Sequence, residues 1–204
     1  MAELRARRAV HPIERESYEI LRRRVDTGNL PPLTRAVVER VVHASADPAY
    51  AADLVCDEAA LDSGRRALRA GAALVVDAHM VAAGITARES VCLVRDPRTA
   101  ELAAETGLTR SAAAVRLAAH LLGPGAVWVV GNAPTALVEV VHLAAVVRPA
   151  LVIGLPVGFV GAVASKQALR DSGVPCLSNR SEKGGSAVAV AAVNALLYVE
   201  EGPE

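Results

Sequence analysis

From about residue 71 onward, short apolar runs alternate with stretches of helical periodicity, and this alternation constrains the fold more than any other feature of the chain. Five runs read as buried strands: AALVVD (72–77), SVCLV (90–94), AVWVV (126–130), ALVIG (150–154) and VPCLS (174–178). Each is continuously apolar rather than alternating, as a strand must be when both faces of its sheet are covered. Helical patterns fall at about 57–70, 109–122, 134–147, 161–171 and 185–198. Strands alternating with helices are the signature of βαβ units and a parallel sheet. The expected class is therefore α/β, a three-layer α/β/α arrangement with a mainly parallel sheet. Residues 1–50 differ, being richer in charge, and carry one helix after HPIE and another opened by Pro31-Pro32. Prolines suit a helix start because first-turn N–H groups have no intrahelical partner. This N-terminal helical segment reads as a layer appended to an α/β core at 51–200, within one domain spanning 1–204.

Composition narrows the classes of function. With 52% hydrophobic but only 2% aromatic residues, the core must be built from Ala, Val and Leu. Lys plus Arg and Asp plus Glu each number 22, so no net field draws in nucleic acid or an anionic membrane. An anion must be held by local clusters. Cys56, Cys92 and Cys176 lack the spacing of a zinc or redox site and read as small buried hydrophobes in a reduced cytoplasm. The opening MAELRARRAV has no apolar signal core, and no uninterrupted apolar run reaches the roughly 20 residues of a membrane span. A soluble cytoplasmic protein is expected, with the EEGPE end frayed.

Few residues stand out as chemical. On a helical wheel Leu33, Val37, Val38, Val41 and Val42 form one apolar stripe, and His43 lies roughly 190° from its centre. Arg40 precedes it by one turn on the same side. Periodicity alone makes this a solvated polar face; the alternative is a proton donor beside an anion-binding arginine, since histidine titrates at about pH 6.5. His11, His79, His120 and His142 show no metal-ligand spacing, so no metal site is expected. His79 follows a strand and either lines a crevice or satisfies a local hydrogen bond. Three glycine-bearing turns follow strands: GNAPTAL (131–137), GLPVGFVGAVASK (154–166) and KGGSAVAVAAVNALL (183–197). In the last, Gly184, Gly185 and Ser186 open a helix whose free N–H groups favour an anion, with Lys183 alongside. An ordinary tight turn would look the same. Arg116, on a helix rich in Ala and Leu, either snorkels to the surface or faces an anion. Standard nucleotide-binding and nucleophile-elbow motifs are absent.

Six segments, in order, resemble the precorrin-8X methylmutase family of cobalamin biosynthesis: PIERESYEIL (12–21), ERVVHASAD (39–47), VVDAHMVAAGI (75–85), GNAPTAL, GLPVGFVGAVASK and GGSAVAVAAVNAL (184–196). The resemblance covers nearly the whole chain. It implies an α/β isomerase, a homodimer with active sites near the subunit contact, and no added cofactor. The implied reaction is a 1,5-sigmatropic shift of a methyl group from ring carbon 11 to ring carbon 12 of precorrin-8X. The product is hydrogenobyrinate, or cobyrinate when the substrate is cobalt-precorrin-8. His43 matches the family's catalytic histidine, and Ser17 and Arg40 fall on substrate-contacting positions. A large ring bearing several carboxylate arms calls for an apolar crevice rimmed by separate cations and helix N-termini. Arg40, Arg116, Lys166 and the Lys183-Gly184-Gly185-Ser186 turn are the expected contacts. The chain departs from the family at Glu182, where more basic residues are usual before Gly-Gly-Ser. Two competing functions fit the same residues: a non-catalytic corrinoid carrier, which would need no titrating group at position 43, and a phosphate-binding α/β enzyme, which would leave the other five segments unexplained.

Overall fold

Four of the five long apolar runs become adjacent strands, as their continuous burial demands, in a computed structural model that describes residues 11–199. The opening MAELRARRAV and the expected frayed end at 200–204 lie outside the described residues, as the opening does up to residue 10. The N-terminal segment forms α1 (Pro12–Arg24), α2 (Pro32–Ser45) and a single turn, α3 (Tyr50–Asp53). Next come β1 (Leu54–Cys56), α4 (Glu58–Arg69), β2 (Leu74–Val76), α5 (His79–Gly84), α6 (Pro97–Thr106) and α7 (Arg110–Leu122). The remainder is β3 (Val127–Val130), α8 (Pro134–His142), α9 (Ala144–Val147), β4 (Leu151–Gly154), α10 (Ala162–Asp171), β5 (Cys176–Asn179) and α11 (Ser186–Tyr198).

The strand order is β1-β5-β4-β3-β2, with β1 antiparallel to β5 and every other pair parallel. Two expectations need correction. SVCLV is not a strand: Val91 alone forms a bridge, to Val75, before Asp96 caps α6 through the Arg98 N–H. The fifth strand is instead β1, three residues too short to show a pattern. The three cysteines are free and half-buried rather than fully buried.

Alternate residues of the strands separate two cores. Val127, Val129, Leu151 and Ile153 face α4, α5 and α11, whereas Trp128, Val130 and Val152 face α7, α8 and α10. The three parallel crossovers all step the same way along the sheet, which places α7, α8 and α10 on one face. On the other face α11 carries no charged side chain because it is enclosed on both sides, by the sheet within and by α2 without. Gly64 lets α4 lie against the sheet: a Cβ there would sit 2.4 Å from Leu151 Cδ2. Val37, Val38, Val41 and Val42 are almost completely buried on α11 and α4, a contribution of roughly 1.5–3 kcal/mol each. The N-terminal segment is thus an added helical layer, and α1 packs on α2 as the outermost element.

Candidate active site

The polar side of α2 is covered by α1 and is not the solvated face that periodicity suggests. Ser17 Oγ lies 2.9 Å from His43 Nδ1, and the Tyr18 ring stacks on the imidazole with centroids 4.9 Å apart and planes 6° from parallel. Arg40 donates to Glu14 Oε1 at 3.0 Å and reaches the Tyr18 hydroxyl at 3.5 Å. Burial works against the Arg40 charge, but Tyr18 and Glu14 outweigh it and raise its pKa above the ordinary value. The two helices are latched by Glu39, whose buried carboxylate accepts from Arg22 Nε and Nη2 (3.0 and 2.7 Å) and from Thr27 Oγ1 (2.7 Å). Burial pushes the Glu39 carboxyl up, yet those bonds win and hold it below the usual carboxylate value. At its other end α2 starts at Pro31-Pro32 as expected, and Glu58 of α4 accepts from the Leu33 and Thr34 N–H groups, each at 2.8 Å. His43 is therefore a partly buried ring fixed on one edge and one face. Ile13 and Ile20 stay exposed on α1, at helical spacings on either side of Ser17, and offer an apolar surface beside it.

Past the end of α2, Ala46 takes a left-handed conformation (φ 52°) and Asp47 turns toward the loop after β5. Lys183 Nζ meets Asp47 Oδ2 at 2.7 Å and lies 5.8 Å from the centroid of the Tyr50 ring. Both members of this pair are partly exposed. The backbone of the loop is much more firmly held. Asp53 accepts from Asn179 Nδ2, the Arg180 and Ser181 N–H groups and Ser181 Oγ, at 2.6–3.0 Å. Lys166 Nζ donates to the Ser181 and Lys183 carbonyls at 2.8 and 2.5 Å, and Asn179 Nδ2 donates to Lys183 O at 2.9 Å. Gly184 (φ +154°) follows, so close to the exit of β4 that a Cβ would fall on Leu155 O. Gly185 then opens α11 without any side-chain cap.

The expected site residues thus divide. Ser17, Arg40 and His43 meet between α1 and α2, and Lys183, Gly184 and Gly185 form a loop, leading into α11 at Ser186, that is tied to the end of α2. Lys166 is not a rim cation: it is completely buried, spends its ammonium on two carbonyls, and burial pushes its pKa down to about 8. Arg116 belongs to the opposite face of the sheet, where its Nε donates to Glu139 Oε1 at 2.7 Å. The chain does not bring Arg116 to His43. Glu182 is exposed, and its carbonyl accepts from the Gly158 N–H at 3.1 Å. The GNAPTAL turn is filled from within: Asp77 Oδ1 accepts from Gly131 N at 3.0 Å, and Oδ2 from Asn132 N and Ala133 N at 2.8 Å. Sequence reasoning did not single out Tyr18, Glu14, Asp47, Asp53 or Asp77 for these roles. Tyr18 adjoins Ser17 inside PIERESYEIL, and Asp47 and Asp77 each close or occupy a recognisable segment; Asp53 carries no such signal.

Fold and site together define an α/β enzyme in which an added helical layer presents a fixed histidine. The description "Precorrin-8X methylmutase" belongs to the family whose model matches residues 12–199. A relative from Methanothermobacter thermautotrophicus, "Cobalt-precorrin-8 methylmutase", is 42% identical over 95% of both chains. One from Pseudomonas aeruginosa, "Precorrin-8X methylmutase", is 42% identical over 93% of this chain and 95% of its own. The crystal structure of precorrin-8X methylmutase from Thermus thermophilus superimposes with a TM-score of 0.83 at 39% identity, covering 91% of this chain and 93% of the other. The chain belongs to the precorrin-8X methylmutase family and is a methylmutase of cobalamin biosynthesis.

Proposed function

We propose that the chain catalyses the 1,5-sigmatropic shift of a methyl group from ring carbon 11 to ring carbon 12 of precorrin-8X, or of its cobalt-bearing counterpart, with His43 as general acid. The product is hydrogenobyrinate or cobyrinate. The observation that carries this reading is the Ser17–His43 contact beneath the stacked Tyr18 ring. With both ring nitrogens protonated, as a general acid requires, Nδ1–H donates to Ser17 Oγ and the transferable proton sits on Nε2, the nitrogen that no side chain of α1 occupies.

A sigmatropic shift has no leaving group and no change of oxidation state. Protonating a ring nitrogen polarises the conjugated system that receives the methyl group, and the proton returns as product forms. The exposed Ile13 and Ile20 suit the apolar face of a tetrapyrrole, while Arg40 and Lys183 suit its carboxylate arms. Ser186 and the Gly184-Gly185 turn add a helix N-terminus. The enzyme works in the cytoplasm as a homodimer, with the site near the subunit contact, and needs no cofactor. Relatives named for the metal-free and for the cobalt-bearing substrate share the same 42% identity with this chain, so overall similarity does not choose between them.

Anaerobic incubation with precorrin-8X, followed by the visible spectrum as conjugation changes, tests the reading. Wild type converts the substrate; His43→Ala binds it but turns over about 10²–10⁴-fold more slowly. Binding by wild type without any spectral conversion rules the reaction out.

A further inference from the structure

Arg22, Arg40 and Lys183 each have a carboxylate partner, and the Lys183 pair is built differently from the other two. The backbone of Lys183 is immobilised by Lys166, Asn179 and the Ser181 hydroxyl, which accepts from Lys183 N at 3.2 Å. Its ammonium, by contrast, projects to a partly exposed Asp47 oxygen and over the Tyr50 ring. Asp47 has its own fixed backbone role, since Oδ1 accepts from Ala49 N at 2.9 Å while only Oδ2 meets the lysine. One oxygen thus maintains the turn after α2 and the other is free to let go. Compare Glu39, whose two oxygens are both engaged and which is buried.

We propose that Asp47 is the resident counter-ion of Lys183, displaced when a carboxylate arm of the substrate binds, and so sets affinity for the anionic ligand. This rests on the reading of the chain as a tetrapyrrole methylmutase. Lys183 sits at the end of a rigid loop and needs no backbone rearrangement to change partners. Asp47 is four residues from His43, so the exchange occurs at the same end of α2 that carries the catalytic ring. Asp47 keeps Lys183 extended in the free enzyme. It also competes against bound ligand, which favours release of a product that keeps the same arms.

The competition gives a gain of affinity on removing an acid. Asp47→Asn retains the Oδ1 acceptor for Ala49 and removes the charge; the KM for precorrin-8X then falls about two- to fivefold, the size of one exposed ion pair. Asp47→Ser, which also keeps a turn acceptor, shifts KM in the same direction. Lys183→Gln raises KM, and adding Asp47→Asn to it yields no further gain, because the competitor has lost its cation. An unchanged or raised KM in both Asp47 variants, with wild type turning over, overturns the inference alone. No turnover by wild type overturns it together with the reading on which it rests.

Discussion

The turns after β3 and β5 look alike in sequence, each a glycine-bearing strand exit that opens a helix, yet the structure treats them oppositely. After β3 the backbone donors of Gly131, Asn132 and Ala133 all point to Asp77, so the anion position is filled by the protein itself. After β5 Asp53 takes the Arg180 and Ser181 N–H groups and Lys166 and Asn179 tie the carbonyls inward, but the start of α11 at Gly185 has no side-chain cap and Lys183 faces a partly exposed acid. A glycine turn therefore signals close packing first, and a ligand site only where no internal carboxylate claims the N–H groups at the start of the helix it opens.

The contrast can be broken at each turn. Gly184→Ala has the largest effect, because its Cβ would fall on Leu155 O and its backbone would be strained at φ +154°. A loss of about 3–5 kcal/mol in denaturant unfolding is expected. Asp77→Ala follows, costing about 2–4 kcal/mol, because three buried or half-buried N–H groups lose their acceptor together. If phosphate or a small carboxylate such as formate restored that variant's stability, the turn after β3 would be a latent anion site. Lys166 tests the other turn by pH. Its folded pKa, about 8, lies below the ordinary lysine value near 10.5, so between these the unfolded chain binds more protons and wild-type stability rises with pH. Lys166→Met loses that rise in pH-dependent unfolding. The neutral amine still has two N–H donors for its two carbonyls, so the loop outlasts the charge. The smallest effect on folding belongs to Asp47→Asn, whose melting temperature stays within about 2 °C of wild type. A large drop would make Asp47 a structural acid like Asp77 and erase the distinction.

The parallel strands were legible because full burial leaves an unbroken apolar run, as in Val127–Val130 and Leu151–Gly154. β1 was not, since three residues flanked by Asp53 and Asp57 carry no period. SVCLV misled because an apolar, β-branched run is also what a bridge and a covered loop need. In the site, Ser17, Arg40 and His43 were legible through the ordered segments of the family. The helical wheel of α2 alone pointed the wrong way: a wheel records the face a helix turns from its own core and knows nothing of a second helix, such as α1, that comes to cover it. Lys166 was misplaced for a related reason. A lysine in an amphipathic helix reads as a surface charge, and the carbonyls that bury it belong to a loop 15 and 17 residues further along.

The one-way winding of the sheet has a bearing on how such an enzyme changes over time. Strand order never reverses among the parallel strands, so there is no natural cleft where neighbouring crossovers part to opposite faces. His43 sits instead in the layer laid over α11, and its immediate neighbours Ser17 and Tyr18 come from a single thirteen-residue helix. Substitutions in α1 would thus change what surrounds the imidazole while the strands keep their register.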